Sequence, residues 1–587
     1  MKHLPKRSIP HFSPNLLTGL ILLLATIPAA AADYVVDGSN SAALDTNPGT
    51  AAQPFKTITA AVAKAHAGDL VEVRAGTYRG EKIVFTQDGT KDQPITLKAS
   101  DGAAVTIKGS QVVTGWQAVA ATPGVYEHEG WDKYFGAWDP AVLDYMKAGT
   151  PAPTNKYGGL KYDARNKPRN QLFVNEAPME EVPTRELLKA GTFFIDPGSH
   201  AVSLWLTDGS DPSKHVIEMS DTEDPLLTTG GKSFITLQNL SFEQGANGPQ
   251  DNGLVRLAGG SNCLADHCNV SLAAGAGFTF TGESHCVRGG VFNHNGQEGL
   301  HSSKAVNSRV EQCETSFNNT LPGKEYGSGW EAGGNKFARS RNLTIDGLVS
   351  HDNNGPGVWF DVDNEDCTIQ NCVSYNNQFG LFYEISYTGL FINNRSYNNK
   401  EIGIYISSSA GCRVYNNTTY GNGKAGIFVE TSVREDGTGR KSSGYSNRIF
   451  NNIIADNQKT KYSKSFSLGL LGKTGTDLPA ITGSKLPMEV NVSDYNLFYV
   501  AGGAPFFTGP GAARPTNLKD WQTASGQDAH SVWGDPGFAN GDAGDFSLSA
   551  GSLARGKGTP LKEVTMDAVG TARPATASDL GALQAKN

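Results

Sequence analysis

The chain has 587 residues, with 50 Lys and Arg against 58 Asp and Glu, and therefore a formal net charge of −8. This acidic balance argues against a general nucleic-acid binder, which carries a basic surplus, and 38% hydrophobic with 18% charged residues argues against a disordered chain. The 69 glycines, which follow no collagen-like triplet, indicate many tight turns, and only seven cysteines exclude a disulfide-dense miniprotein.

The first 32 residues have the three parts of a secretory signal peptide. Basic residues lie near the start, an apolar run extends from Leu16 to Ile27, and the alanines at 29–32 offer a cleavage site before Asp33. The apolar run is shorter than the ~20 residues that cross a bilayer. Residues 1–32 are therefore predicted to be removed. The mature protein is predicted to be secreted or periplasmic, without a membrane contact, and its oligomeric state stays open.

Residues 33–115 are predicted to form an N-terminal cap and the first coils of a solenoid. The segment 54–66 has the pattern of an amphipathic helix, which would cover the open apolar end of such a fold. Short β-branched segments follow at 69–74, 95–98 and 105–108 and are predicted to be strands.

Residues 116–219 interrupt this rhythm. The segment is rich in aromatic residues and proline, and hairpin-like strands are predicted at 170–175, 191–196 and 201–206. It is interpreted as an inserted β-sandwich-like domain.

An internal repeat of 23 residues indicates the fold of the rest. Four units begin at Gly357, Gly380, Gly403 and Gly426. Asparagines recur at the same step, at Asn353, Asn376, Asn399 and Asn422 and again at Asn371, Asn394 and Asn417. Weaker copies lie upstream at 277–281, 299–303 and 327–331. Each unit holds short strands separated by Asn/Gly turns and has no helical period.

Such a unit is about one coil of a right-handed, single-stranded parallel β-helix of the pectate-lyase-like type. The leucine-rich repeat pattern is missing, and a propeller blade needs about 40 residues. The main β-helix, with an active-site groove, is predicted at 220–460, and residues 431–446 are predicted to be a surface loop. Residues 461–587 are predicted to be irregular coils and a C-terminal cap. The seven cysteines all lie between Cys263 and Cys412 and are interpreted as buried thiols. A disulfide between neighbouring coils is the alternative.

Strand alternation divides each unit into inward and outward positions, because successive side chains point to opposite faces. The first and third residues after each glycine are apolar and are predicted to fill the coil. The second residues are aromatic and are predicted to face solvent: Trp359, Phe382, Tyr405 and Phe428. The fourth residues are Asp361, Glu384, Ser407 and Glu430, with Glu331 read as the acid of the preceding coil.

The outer face thus combines an aromatic column with a carboxylate column. Outward aromatic side chains reduce solubility unless they bind something, and like charges stacked at coil spacing repel each other. Aromatic rings suit the C–H faces of sugars, and carboxylates suit hydroxyl recognition and acid–base chemistry. The pattern predicts an oligosaccharide or polysaccharide substrate. The alternative is that the 431–446 loop covers the aromatic rings and the acids are merely solvated.

The coil spacing predicts a type of chemistry. Neighbouring strands lie ~4.8 Å apart, so Asp361 and Glu384 are expected at roughly that separation. Retaining glycosidases hold their two carboxyl groups about 5–5.5 Å apart, and inverting ones about 6.5–9.5 Å apart. At the shorter distance one carboxyl is expected to have a raised pKa, which places an acid beside a nucleophile.

The unit Gly357-Val-Trp-Phe-Asp361, with Glu384 one coil later, resembles glycoside hydrolase family 120, as does a β-helix with a β-sandwich insert. That family consists of retaining, exo-acting β-xylosidases. The resemblance implies that Asp361 is the nucleophile, that Glu384 is the acid/base, and that Glu331 binds substrate. Family 141 hydrolases, with fucosidase and xylanase activities, have a similar insert and are the near alternative. The other residues predicted to bind substrate are Trp359, Phe382, Tyr405, Glu430 and His301.

A polysaccharide lyase or uronan C5-epimerase is the second hypothesis, and a non-catalytic glycan-binding or adhesin β-helix is the third. Lyases and epimerases need a Lys, Arg, His or Tyr base, often with Ca²⁺. The outer columns are read as holding no Lys or Arg between Glu331 and Glu430, whereas His301 in an upstream coil could serve a lyase. The acidic run 361–366 could bind Ca²⁺ but reads as a polar turn, so no metal or other cofactor is predicted.

Overall fold

The computed structural model describes residues 31–147, 149–151, 168–327, 330–457, 466–470, 489–503, 507–508 and 515–585. Nearly all of the predicted signal peptide, and parts of the predicted C-terminal cap, lie outside these residues.

The described chain winds into a parallel β-helix in which each coil adds one strand to each of three sheets, so the predicted fold class is confirmed. The site sheet, named for the residues discussed below, contains Ile83–Val84, Leu227–Thr228, Val255–Ser261, Phe278–Glu283, Glu298–Val306, Gly333–Ala338, Val358–Asp361, Phe379–Glu384, Ile402–Ser407, Ala425–Glu430, Phe466–Leu470 and Phe507–Thr508.

The second sheet contains Asp33–Val36, Leu70–Val73, Ile95–Ala99, Ile235–Gln238, Leu264–Asp266, Cys286–Arg288, Arg309–Glu311, Thr344–Asp346, Thr368–Gln370, Leu390–Ile392, Arg413–Tyr415, Arg448–Phe450 and Val492–Asp494. The third sheet contains Gly76–Arg79, Val105–Lys108, Ser241–Glu243, Asn269–Ser271, Val291–Asn293, Glu314–Ser316, Val349–His351, Val373–Tyr375, Arg395–Tyr397, Thr418–Tyr420, Ile453–Ala455, Leu497–Tyr499 and Val532–Trp533.

The interior of the coils is one apolar core. In the site sheet it takes the first and third residues of each repeat unit, among them Val358, Phe360, Leu381 and Tyr383, as predicted from strand alternation. The seven cysteines are free thiols; Cys286 is half-buried and the other six are buried.

Repeated asparagines have two roles in the coil stack. Asn371 and Asn376 adopt left-handed turn conformations, with φ of 57° and 56°, which Asn tolerates better than most residues. The others form two buried ladders in which an N–H of each Asn donates to the side-chain oxygen of the Asn one coil further. The ladders are Asn295, Asn318, Asn353, Asn377, Asn399, Asn422 and Asn457, and Asn394, Asn417, Asn452 and Asn496.

The repeated glycines lie where successive coils approach closely. A Cβ built on Gly380 would contact the hydroxyl of Ser396 and lie 2.6 Å from the carbonyl oxygen of Gly403. We expect Gly380→Ala to lower the free energy of unfolding by about 1–3 kcal/mol, the usual cost of overpacking a core. Denaturant titration measures this, with Gly551→Ala as the control, because a Cβ at Gly551 has no neighbour within 4 Å. Equal stability of the two variants would contradict the glycine stack.

The N-terminal cap contains a short helix, Ile58–Val62, rather than one extending over 54–66. The side chain of Thr57 caps it by accepting a hydrogen bond from the backbone N–H of Ala60. After Val62 the chain continues in tighter turns, so the helix ends early. Ile58, Ala61 and Val62 nevertheless belong to the apolar core that the first coils share.

The described residues between 110 and 220 form two small sheets outside the coil stack. One contains Ser110–Val112, Leu172–Val174, Ala177–Pro178 and Ile217–Ser220, and the other contains Gln117–Ala118, Val125–His128, Glu180–Glu181, Thr192–Ile195 and Val202–Trp205. Their pairing is antiparallel except between Glu180–Glu181 and Thr192–Ile195. Side chains of both sheets share one core, which includes Leu172, Phe193 and Ile217.

The remaining elements lie in connections and near the C-terminus. They are the helices Pro140–Tyr145 and Leu518–Ser525, the 3₁₀ turns Arg185–Leu187, Pro212–Lys214 and Gly541–Ala543, and the two-stranded pairs Arg434–Glu435 with Lys441–Ser442 and Phe538–Asn540 with Asp545–Leu548. Among the described residues, no helix has the length and apolarity that crossing a membrane requires.

Candidate active site

Asp361 and Glu384 lie opposite each other in neighbouring parallel strands. In the pairing of Val358–Asp361 with Phe379–Glu384, Trp359 faces Phe382 and Asp361 faces Glu384. Ser407 and then Glu430 continue this row in the next two coils. The structure therefore places these four fourth-position residues in one row of the site sheet.

Each of the two acids is the last residue of its strand. The residue that follows has a left-handed backbone, with φ of 61° at Val362 and 46° at Ile385. This conformation is rare for a β-branched residue and costs about 1–3 kcal/mol. Arg339 and Ser408 occupy the same position in the adjacent coils and have similar φ values of 52° and 48°, so the conformation belongs to the turn that ends each of these strands.

The aromatic column points away from the coil interior but is not exposed. Trp359 and Phe382 are only 5% and 6% exposed, so the prediction that they face solvent is wrong. Adjacent rings in the column stack, with centroids 5.3 Å apart for Trp359 and Phe382 and 4.8 Å apart for Phe382 and Tyr405. Each ring therefore covers its neighbour, and Lys336 covers the end of the column, 4.0 Å from the Trp359 ring centroid.

Glu384 is a buried acid with two donors. The indole Nε1 of Trp359 donates to Oε2 at 3.2 Å, and Arg434 of the 431–446 segment donates to Oε1. Burial, and then the charge of Asp361, raise the pKa of Glu384, although Arg434 acts in the opposite direction. A carboxyl with a raised pKa suits proton donation near neutral pH.

Asp361 pairs with a lysine that sequence reasoning missed. The Nζ of Lys336 lies 2.9 Å from Oδ2 of Asp361 and 3.1 Å from Oε1 of Glu331. In register, Lys336 lies one coil before Trp359. The statement that no Lys or Arg occupies the outer columns is therefore wrong. The 23-residue step back from Gly357 reaches Gly334, and the unit Gly334-Asn-Lys-Phe-Ala338 would have revealed Lys336.

Glu331 is not a member of the carboxylate row. Ala338 is the residue that faces Asp361 from the preceding coil, so the unit 327–331 was assigned to the wrong position. Glu331 lies in the connection before the strand Gly333–Ala338, with a left-handed φ of 39°. Its side chain nevertheless reaches the site, because it contacts Lys336 and accepts a hydrogen bond from Gln250.

His301 lies in the same column as Lys336 and Trp359, one coil before Lys336. Its Nδ1 lies 2.8 Å from the buried carboxylate of Glu298, and its Nε2 lies 3.3 Å from Asp251. Burial alone would lower the pKa of His301, but Glu298 and Asp251 raise it to about 9. This histidine is therefore a cation at neutral pH.

Glu430 is held by three hydroxyl donors. Tyr405, Ser407 and Ser432 donate to its carboxylate at 2.7–2.8 Å. Burial raises the pKa of Glu430, but these hydrogen bonds outweigh it and lower the pKa below its usual value. Glu430 thus remains ionised and orients Tyr405.

The acidic run after Asp361 is paired with arginines. Arg341 and Arg440 both contact Asp363 and Glu365. Within the described ranges, no group of three or more His, Cys, Asp or Glu is arranged to hold a metal ion. The run therefore anchors the 431–446 segment through Arg440, which also lies over the Tyr387 ring.

The Trp359 ring stacks on Phe382, and its Nε1 donates a hydrogen bond to Glu384. Two substitutions distinguish the contribution of the ring from that of the hydrogen bond. We expect Trp359→Phe to preserve the stack and to lower kcat/KM by about tenfold, the value of one hydrogen bond to a charged or ionisable group. Trp359→Ala removes the ring as well and is expected to lower the free energy of unfolding by about 3 kcal/mol. Denaturant unfolding and steady-state kinetics measure both effects. If Trp359→Ala keeps full stability, the burial of this column is contradicted.

Comparisons with known proteins agree with the fold. The family model described as a right-handed β-helix region matches residues 252–394, and the one described as chondroitinase B matches residues 53–131. The uncharacterized protein YwoF of Bacillus subtilis (strain 168) is 35% identical over 100 residues, which are 17% of this chain and 20% of that protein. The chain thus spans about a fifth of the length of this curated relative.

The solved structure of XylC shares this architecture over most of the chain. XylC in its complex with xylose has a TM-score of 0.68 and 16% identity, covering 94% of this chain and 98% of that one. The pectate lyase Pel9A has a TM-score of 0.45 and 13% identity, with 94% and 96% coverage. The similarity to XylC, with the family match, identifies a right-handed parallel β-helix.

Proposed function

We propose that this protein is a retaining glycoside hydrolase that acts on β-xylosides. The observation that carries the proposal is the register that places Asp361 opposite Glu384 on adjacent strands. Adjacent strands lie about 4.8 Å apart, which favours the short carboxyl separation of a retaining enzyme over the longer separation that holds a water in an inverting one. The β-xyloside part rests on the family resemblance and on the fold shared with XylC, which was solved with xylose.

One observation favours the alternative of a lyase or epimerase, but the environment of the residues concerned argues against it. Lys336 and His301 are basic residues in the outer column, where a catalytic base of such an enzyme could lie. Both side chains are buried between carboxylates, however. Burial acts against the charged form of Lys336, but Asp361 and Glu331 raise its pKa overall. The environment of both residues thus favours the cation, whereas a base must be neutral to take a proton.

A panel of nitrophenyl glycosides, starting with the β-xyloside, tests the proposal. We expect release of nitrophenol from the β-xyloside, a sugar product of unchanged anomeric configuration by proton NMR, and no loss of activity with a metal chelator. An unsaturated, ultraviolet-absorbing product from a uronan would instead support a lyase. Binding of glycans without any product would support the non-catalytic hypothesis.

A further inference from the structure

The candidate site contains a buried cation whose contacts are all with the site itself. The side chain of Lys336 is only 3% exposed. Its ammonium group bonds Asp361 and Glu331, and the Trp359 ring lies against it. Glu331 is itself fixed by a hydrogen bond from Gln250. Lys336 is thus held between two acids, and its ammonium cannot move away without losing both contacts.

The contact between Lys336 and Asp361 makes two acids different that the repeat makes equivalent. Asp361 and Glu384 occupy equivalent positions on adjacent strands, so the repeat alone gives no reason for one to be the nucleophile. Among the described residues, each acid forms an ion pair with one cation, but the two cations differ. The side chain of Arg434, beside Glu384, is 44% exposed, whereas Lys336, beside Asp361, is buried. A pair shielded from water interacts more strongly than one that solvent and salt screen.

We propose that Lys336 is the positioning residue that assigns the two roles, holding Asp361 as the ionised nucleophile and leaving Glu384 as the proton donor. The inference rests on the proposed hydrolase function. Lys336 acts through Asp361, whose Oδ2 it contacts, rather than on the substrate. The charged groups that surround the Lys336–Asp361 pair are Glu331, Glu298, His301, Glu384 and Arg434.

The reaction balances without a proton from Lys336. An oxygen of Asp361 forms a bond to the anomeric carbon as the glycosidic C–O bond breaks, and the leaving oxygen keeps the electron pair and takes the proton of Glu384. Water then attacks the anomeric carbon and gives a proton to Glu384, and the ester electrons return to Asp361. Lys336 retains its three protons and its charge throughout, so a cation stands beside Asp361 at the start of each cycle.

The test is the pH profile of kcat/KM for Lys336→Met in the full chain. Asp361 attacks the anomeric carbon as a carboxylate, and the ammonium of Lys336 is the cation that contacts it. Lys336→Met removes this favourable charge from beside the carboxylate, so we expect the acidic limb of the profile to move to higher pH by about one to three units. Lys336→Arg preserves the charge and should keep the limb near its wild-type position, even if its different shape lowers kcat.

Two further variants make the result decisive. Lys108 is also buried and paired, 3.2 Å from Glu218, in another part of the fold, so Lys108→Met should lower stability without moving the limb. If Lys336→Met does not fold, Glu331→Gln replaces it; losing this neighbouring negative charge should move the limb to lower pH. An unmoved limb in an active, folded Lys336→Met, or in its Glu331→Gln replacement, overturns the role of Lys336. Wild-type protein that cleaves no glycoside overturns the proposed function instead.

Discussion

Asp361→Asn is expected to lower kcat/KM on the aryl β-xyloside by roughly four orders of magnitude, the scale on which enzymes lose activity when a residue of the catalytic unit is removed. The amide cannot attack the anomeric carbon, yet its oxygen can still accept a hydrogen bond from Lys336. The fold should therefore persist, as thermal unfolding would show. Asp366→Asn is the matched control, because Asp366 is exposed in the same run and has a left-handed φ of 57°, which Asn accepts.

Asp361→Ala extends the test to mechanism. It opens space beside the anomeric carbon in which azide can replace the carboxylate. We expect azide to restore turnover and to give a glycosyl azide of inverted configuration, because a single displacement then replaces two. Wild-type activity of Asp361→Asn, or an azide product of retained configuration, would contradict the nucleophile assignment.

Glu384→Gln is expected to lower kcat/KM by about 10²–10⁴-fold on substrates with poor leaving groups, the usual contribution of a general acid. Nitrophenyl substrates should lose much less in the first step, because their leaving group departs without a proton. The pH profile gives a second measurement. Wild-type activity should fall as pH rises through the raised pKa of Glu384, and this basic limb should disappear in the variant.

Arg434→Met separates the acid from its ion pair. Arg434 lowers the pKa of Glu384, so its removal raises that pKa further and should move the basic limb to higher pH.

Azide added to Glu384→Ala should give a product of retained configuration, since Asp361 still makes the first displacement. Equal losses on good and poor leaving groups would contradict the acid role of Glu384.

The repeat was sufficient to predict the coil stack. A 23-residue step with glycines at 357, 380, 403 and 426 requires close approach of equivalent backbones, and in the structure each of the first three lies against the carbonyl oxygen of the next. Strand alternation likewise predicted which side chains fill the interior, because it depends only on the local backbone. The helix of the N-terminal cap was overestimated, since its end depends on contacts with the first coils rather than on sequence period.

The candidate site was predicted in part. The pairing of Asp361 with Glu384 follows from the repeat, because both occupy the same position of a unit. The burial of Trp359 and Phe382 was not predicted, since alternation gives the direction of a side chain but not what covers it. Glu331 was wrongly assigned to the row of acids. The chain between 316 and 333 departs from the 23-residue step, and its Gly-x-Gly-Trp-Glu segment resembles the repeat unit in sequence without forming the equivalent strand.

The sequence by itself determined the parallel β-helix and the row that contains Asp361 and Glu384, because these follow from periodicity and from residue types that act locally. Tertiary structure decided the environment of each acid. Lys336 reaches Asp361 from the coil before, and Arg434 reaches Glu384 from the segment after the last unit. Interactions between residues 25 and 50 positions apart, as in these two pairs, depend on how coils and loops pack, and burial sets their strength. Two acids that are equivalent in the repeat therefore become different only in the folded protein.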